Sequence, residues 1–206
     1  MTRRELSLIG VPTNSAGKVN GVAGAPRALR RAGLLKALSK SNQVHDAGDV
    51  SFQRPATTKR DVRSGIIAIR SLASMILSVR ESVTQALQQN RFPVVIGGDC
   101  PILLGCLAGS VQYFGPVGLF FVDGHEDAYL PHQSPTGEGA DMELGFAFGV
   151  EVPPVIQKAS GDLLPDPGQV CMLGPRDKKI LQSADVRSLD NGSVSYYDDI
   201  ALRRAN

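Results

Sequence analysis

Several features that mark specialised protein classes are missing from this sequence. Its 206 residues include only three cysteines, too few for a disulfide framework. No apolar run approaches the roughly 20 residues that a membrane-spanning helix needs. The net charge of +2 comes without a basic stripe interleaved with aromatic residues, so no nucleic-acid partner is expected. No apolar signal-peptide core follows Met1, and we therefore expect a cytoplasmic location.

What remains is the composition of an ordinary globular domain. Hydrophobic residues make up 42% of the chain and charged residues 20%, which is typical of soluble proteins. A chain of this length is expected to form one domain, residues 1–206, with its own core. Buried-type apolar runs alternate with amphipathic segments, and this alternation favours a parallel sheet covered by helices. We therefore predict a three-layer α/β/α fold with a central, mainly parallel sheet.

The same patterning predicts the individual elements. The clearest helix covers residues 61–89, where Val62, Ile66 and Ile69 begin one apolar stripe. A glycine-containing loop, residues 13–24, fits neither a phosphate-binding P-loop nor the dinucleotide fingerprint. The predicted strands are 5–11, 44–47, 92–96, 117–122, 169–173 and 194–196, and the other predicted helices are 26–40, 101–113 and 176–184.

The most informative stretch is a predicted buried strand that ends in metal-binding residue types. After the apolar residues 118–122 come Asp123, His125 and Asp127 at alternate positions, which places them on one side of an extended chain. Full extension would spread the outer two over roughly 13 Å, so a shared metal requires the chain to curl at Gly124. A solvated polar loop is the alternative interpretation.

A second segment of this kind ends the preceding predicted strand. It reads Gly97-Gly98-Asp99-Cys100, and ligands of parallel sheets bind at the carboxyl ends of the strands. We therefore expect the two segments to be neighbours. Carboxylates and imidazole suit manganese or zinc, and two ions can activate a water for hydrolysis. The alternatives are a tight turn for the glycines and a small buried residue for Cys100.

Together these motifs resemble the ureohydrolases, the family of arginase and agmatinase. The family's Gly-Gly-Asp-His motif is similar to residues 97–100, and its Asp-Ala-His-x-Asp motif is similar to residues 123–127. An early Gly-x-x-x-Gly-Pro segment followed by Arg is similar to residues 21–27, and a later Gly-x-Arg segment to residues 174–176. The resemblance covers nearly the whole chain in order.

The resemblance implies an arginase-like fold and a metal-dependent hydrolase that acts on a C–N bond of a linear amidine or guanidino compound. Two manganese ions are the family's cofactor. Asp123 would bridge them, His125 would bind one ion and Asp127 the other. The family's histidine ligand of the Asp127 ion is replaced by Cys100, and a thiolate makes zinc a further possibility.

The resemblance also identifies substrate-binding residues and departures from the family. The family's Ser-Gly-Asn segment is similar to Thr136-Gly137-Glu138, so Thr136 and Glu138 are expected to bind substrate, with Glu138 suited to a cationic group. Ala140 stands where many members carry a proton-shuttling histidine, and no catalytic residue is assigned.

The family's later Asp-x-Asp motif has no counterpart, since Asp198 and Asp199 are adjacent. The chain is therefore expected to be C-terminally incomplete relative to the family, and uncovered sheet edges favour a homo-oligomer. An inactive arginase-fold homologue that acts as a binding or oligomer subunit is the alternative. A Cys100-dependent enzyme with His125 as its base is a weaker third interpretation.

Overall fold

The computed structural model describes residues 4–161 and 166–204. Within these ranges the strands form two parallel sheets, ordered β2-β1-β3 and β4-β5-β6. Strand β1 is central in its sheet, and its last six side chains are all buried. The strands are β1 Glu5–Val11, β2 Gln43–Asp49, β3 Phe92–Gly97, β4 Leu119–Val122, β5 Val170–Leu173 and β6 Ser195–Tyr197.

Helices connect the strands, and none that the structure describes is long and apolar enough to cross a membrane. The helices are α1 Ala25–Arg31, α2 Leu34–Leu38, α3 Ile69–Gln88, α4 Ile102–Phe114, α5 Glu143–Ala147, α6 Pro154–Ser160, α7 Lys178–Ser183 and α8 Asp199–Arg204.

Helices α3 and α4 pack closely and carry much of the core. Two glycines on α4 permit this approach: a Cβ on Gly105 would lie 2.6 Å from the Cβ of Val79, and one on Gly109 would lie 2.8 Å from the Cβ of Val83. Since real Cβ atoms do not approach so closely, larger residues would separate the two helices.

The predicted parallel α/β architecture is confirmed, and each predicted strand position contains a strand. The prediction of a helix from residue 61 is wrong, because α3 begins only at Ile69. Residues 61–68 form a turn held by Asp61, whose side chain accepts hydrogen bonds from Ser64, and Ala68 has a left-handed φ of 47°. Val62, predicted to face the core, is fully exposed.

The predicted helix over residues 26–40 is also divided. It forms α1 and α2, separated at Gly33, which adopts a φ of 92° that helical residues do not have. Helices α5 and α6 lie in a segment for which the sequence predicted no element.

Each sheet has an edge strand that leads toward the predicted site, β3 in one and β4 in the other. On β4 the side chains alternate: Leu119 and Phe121 are buried, whereas Phe120 and Val122 are 78% and 73% exposed. One face of β4 therefore presents apolar side chains to solvent.

Candidate metal centre

The ends of β3 and β4 bring three metal-binding side chains together. The Sγ atom of Cys100 lies 3.9 Å from Oδ2 of Asp123. One donor atom from each of Cys100, Asp123 and Asp127 lies within 4.8 Å of the other two. Ligands bound to one ion at about 2.0–2.3 Å lie no more than about 4.6 Å apart. Small side-chain adjustments therefore bring these three donors onto one cation.

The turn after β3 is fixed by close contact with the loop after β1. Gly98 donates its backbone N–H to the carbonyl of Val11 at 3.1 Å, and a Cβ at Gly98 would lie 1.7 Å from the carbonyl oxygen of Thr13. Asp99 accepts hydrogen bonds from the backbone N–H and the hydroxyl of Ser15, at 2.5 and 2.6 Å. Asp99 is thus an anchor of the turn, and Cys100 follows it into the candidate site.

The chain curls after β4 as expected, although by a different means. His125 donates its backbone N–H to Oδ1 of Asp123 at 3.1 Å. The residue with a left-handed backbone is Asp127, with a φ of 47°, rather than Gly124. Gly124 is instead needed because the guanidinium of Arg176 packs on it, 3.1 Å from where a Cβ would lie.

His125 lies beside this cluster, and its role as a ligand stays a prediction. Its side chain is 61% exposed, with Nδ1 3.6 Å from Oδ1 of Asp123. Within residues 4–161 and 166–204, the one group of three such side chains with closely spaced donors is Cys100, Asp123 and Asp127. A second ion placed between His125 and Asp123 would find two donors there.

Thr136 and Glu138 lie in a loop whose polar groups largely bind one another. The hydroxyl of Thr136 donates to Oδ2 of Asp141 at 2.7 Å and accepts the backbone N–H of Glu138 at 2.9 Å. Glu138 is partly buried, and burial, then the charges of Asp141 and Asp99, raise its pKa. Substrate binding by these two residues stays a prediction.

Burial and neighbouring negative charge both raise the pKa values of groups in this cluster. Burial, then the charge of Asp123, raise the pKa of Asp127 to about 7. Burial, then the neighbouring charges of Glu143, Asp127 and Asp123, raise the pKa of Cys100 well above its ordinary value. These contributions favour the protonated thiol, which disfavours Cys100 as a thiolate nucleophile.

Two fully buried acids, Glu126 and Glu143, were not predicted from the sequence as functional residues. Glu126 accepts hydrogen bonds from the hydroxyl of Ser188 at 2.7 Å, the backbone of Leu189 at 2.6 Å and the hydroxyl of Tyr196 at 2.9 Å. Glu143 accepts none from the residues that the structure describes. The available signal for Glu143 was one acid inside the otherwise apolar run of residues 142–148.

Parallel strands that deliver a thiol and two carboxylates to one point define an α/β protein with a candidate metal centre. The model of the Arginase family matches residues 4–204. The chain belongs to the arginase family.

Individual relatives share both sequence and fold. The arginase of Bacillus caldovelox is 28% identical over 201 residues, which cover 97% of this chain and 64% of that protein. Its native structure superposes with a TM-score of 0.81 at 25% identity, covering 98% of this chain and 67% of the arginase. The formimidoylglutamase of Bacillus subtilis superposes with a TM-score of 0.66 at 17% identity, which shows a shared fold alone. The chain spans less than two thirds of the length of the curated arginases, 64% and 59% for those of B. caldovelox and Staphylococcus aureus.

Proposed function

We propose that this chain is a metal-dependent hydrolase of the ureohydrolase type, which cleaves a C–N bond of a linear amidine or guanidino compound. The observation that carries the proposal is the convergence of Cys100, Asp123 and Asp127 at the ends of β3 and β4. Membership of the arginase family supports the reaction class. An inactive homologue would not require these donor atoms to remain so close together.

The donor set fits one divalent ion best. Cys100, Asp123 and Asp127 would hold it, and the chemistry that such an ion supplies when bound is activation of a water for hydrolysis. The arginase family is generally dependent on two manganese ions, and Asp123 with His125 would hold the second. Because the Cys100 thiolate is a softer ligand than imidazole, zinc is an alternative to manganese at the first position.

The substrate is proposed to be a small guanidino or amidine cation. Glu138 would hold its cationic group by a charge-assisted hydrogen bond, and Thr136 would act by fixing the loop that carries Glu138. Arginine and agmatine are the first compounds to test, and a formimidoyl compound belongs in the same panel because a formimidoylglutamase shares the fold.

The test is metal content and product release from the purified 206-residue chain. Loaded with Mn²⁺ or Zn²⁺ and then dialysed, the protein should retain at least one ion and release urea from one of the guanidino compounds, or ammonia from the formimidoyl compound. Asp127→Asn should lose both properties, whereas Glu81→Gln, which changes an exposed acid on α3, should keep both. Retained metal with no product from any of these compounds would refute the hydrolase assignment.

The remaining proposals concern assembly and location. We propose a homo-oligomer, supported by the exposed Phe120 and Val122 on the edge strand β4, because unpaired edges and apolar patches bind other chains. Light scattering should give a mass above that of one 21.9 kDa chain, and Phe120→Glu should lower it. We also propose a cytoplasmic location, as for a chain whose matched relatives include bacterial arginases.

A further inference from the structure

A basic cavity, separate from the candidate metal centre, opens between residues 53–62 and the beginning of α3. Its volume is about 420 Å³, which lies in the range of small-molecule sites, roughly 300–1,000 Å³. None of its described lining residues belongs to the group of Cys100, Asp123 and Asp127. Four of the lining side chains are cations and one is an acid: Arg54, Lys59, Arg60 and Arg70 against Asp61. The cavity therefore carries an excess of positive charge.

Little of this positive charge is neutralised by the protein. Within residues 4–161 and 166–204, the side chains of Lys59 and Arg70 take part in none of the ion pairs. Arg54 donates a hydrogen bond to a neutral group, the carbonyl of Pro12, at 3.3 Å. The acid of the cavity, Asp61, accepts three hydrogen bonds from its own turn. An anionic ligand would therefore meet several cations that the described acids leave available.

The wall of the cavity that α3 forms also offers backbone donors. Ile69, Arg70 and Ser71 are the first three residues of this 20-residue helix, and their N–H groups have no acceptor among the residues that the structure describes. The N-cap residue is Ala68, whose side chain cannot accept a hydrogen bond. The N-terminus of a helix carries a partial positive charge, and together with free N–H groups this favours the binding of anions such as phosphate.

A buried hydroxyl in the same wall indicates a ligand independently. Ser71 is only 9% exposed, and it lines the cavity. Three other serines of α3, namely Ser74, Ser78 and Ser82, each use their hydroxyl in a hydrogen bond. In the described part of the chain the hydroxyl of Ser71 has no such partner. Because buried polar groups are normally hydrogen-bonded, this hydroxyl is a donor that the fold leaves for a bound molecule.

We propose that this cavity binds a small phosphorylated molecule, whose phosphate group lies at the N-terminus of α3. The phosphate oxygens accept the free N–H groups and the hydroxyl of Ser71, and Lys59 and Arg70 neutralise the charge. A phosphate monoester has three strong acceptor oxygens and about two negative charges at neutral pH, whereas a carboxylate has two oxygens and one charge. The donors of this wall therefore suit phosphate better. The remaining volume of the cavity holds the rest of the molecule, and the site requires no metal ion.

The test is a calorimetric titration of the purified chain with inorganic phosphate and with glycerol phosphate, at constant ionic strength. Both probes should bind, and in ¹H–¹⁵N NMR spectra the amide signals of Ile69, Arg70 and Ser71 should shift as the probe is added. Arg70→Gln removes a charged donor and should weaken binding by about tenfold or more. Ser71→Ala removes a neutral donor and should weaken it by roughly two- to tenfold. Arg31→Gln removes the same charge from an exposed position on α1 and, as the matched control, should change nothing.

Several results would overturn the inference without touching the proposed hydrolase. The first is that neither probe binds at millimolar concentrations. The second is an equal loss of affinity in Arg31→Gln and Arg70→Gln, which would make binding an effect of net charge. The third is binding that leaves the amide signals at the beginning of α3 unshifted, because the phosphate would then lie elsewhere. A single-stranded oligonucleotide is titrated in parallel, and if it binds while both small phosphates do not, the surface recognises a nucleic-acid backbone and the small-molecule site is refuted.

Discussion

Glu126 and Glu143 offer a matched pair of substitutions in the metal-free protein. Both are fully buried glutamates, and Gln has nearly the same shape as Glu. Glu126→Gln places an amide among three donors and removes a charge that strengthens their hydrogen bonds, which should cost about 2–4 kcal/mol at neutral pH. Glu143→Gln removes an acid whose carboxylate accepts no hydrogen bond from a donor group that the structure describes, and whose close polar neighbour is another acid, Asp127. It should instead stabilise the fold at neutral pH.

The gain in Glu143→Gln follows from proton linkage. The pKa of Glu143 is raised in the folded state by burial and then by the charge of Asp127, so the folded protein keeps a proton that the unfolded chain has released. The contribution of Glu143 to the free energy of unfolding is therefore most favourable below the unfolded pKa of about 4.3. It is lost as the pH rises towards the pKa of the folded state. The loss is about 1.4 kcal/mol per pH unit. Between about pH 5.5 and about pH 7.5, each pH unit over which the folded carboxyl keeps its proton should therefore change Tm by roughly 3–6 °C for a domain of this size.

Thermal unfolding followed by circular dichroism, with a chelator present, measures this difference. The Tm of Glu143→Gln minus that of the unaltered chain should be positive and should increase with pH across this range. Glu126→Gln should have a lower Tm than the unaltered chain throughout. A Tm difference for Glu143→Gln that is negative, or that does not change with pH, would refute the conclusion that Glu143 is an unsatisfied buried acid.

Three other substitutions test the geometry. Gly98→Ala should destabilise the fold by about 1–3 kcal/mol in urea unfolding, because its Cβ would lie 1.7 Å from a backbone oxygen, whereas Gly24→Ala, with nothing within 4 Å, should not; equal effects would contradict this. Cys100→His should raise Mn²⁺ affinity in a titration followed by electron paramagnetic resonance, since imidazole suits manganese better than a thiolate, and an unchanged affinity would count against Cys100 as a ligand. The hydrogen bond from Arg30, and then the backbone hydrogen bond from Gly48 and the charge of Arg30, lower the pKa of Asp46. Asp46→Asn should therefore lose about 0.5–1 kcal/mol near neutral pH, a small value because solvent screens the pair, and this difference should disappear as the pH falls through the folded pKa; a loss that persists in acid would contradict it.

The sequence predicted the strands well because each is a short run of strand-forming residues between turn residues. Residues 5–11 show this most clearly, since β1 is paired on both sides and six of its side chains are buried. Periodicity failed at residues 61–68, where apolar residues happen to follow helical spacing. There the backbone is held by contacts from elsewhere, such as the hydrogen bond from Ile67 to the carbonyl of Gly137, which no local pattern reveals.

The sequence predicted only part of the candidate site. Topology alone brings the ends of neighbouring parallel strands to one edge, and this was sufficient to predict that Cys100, Asp123 and Asp127 would meet. It was not sufficient for Glu143, which follows no strand. Its position depends on the left-handed backbone of Asp127 and on two hydrogen bonds to the carbonyl of that residue.

Asp127 therefore takes part in the structure through two different groups. Its carbonyl accepts the first N–H groups of α5, and its carboxylate is a donor of the candidate metal centre. A left-handed backbone is uncommon outside glycine, but Asp tolerates it better than most residues do. The same turn therefore positions Asp127 and, through α5, Glu143. Burial and the charge of Asp127 raise the pKa of Glu143, so the protonated form of Glu143 is favoured beside Asp127, and the stability of this turn should fall as the pH rises.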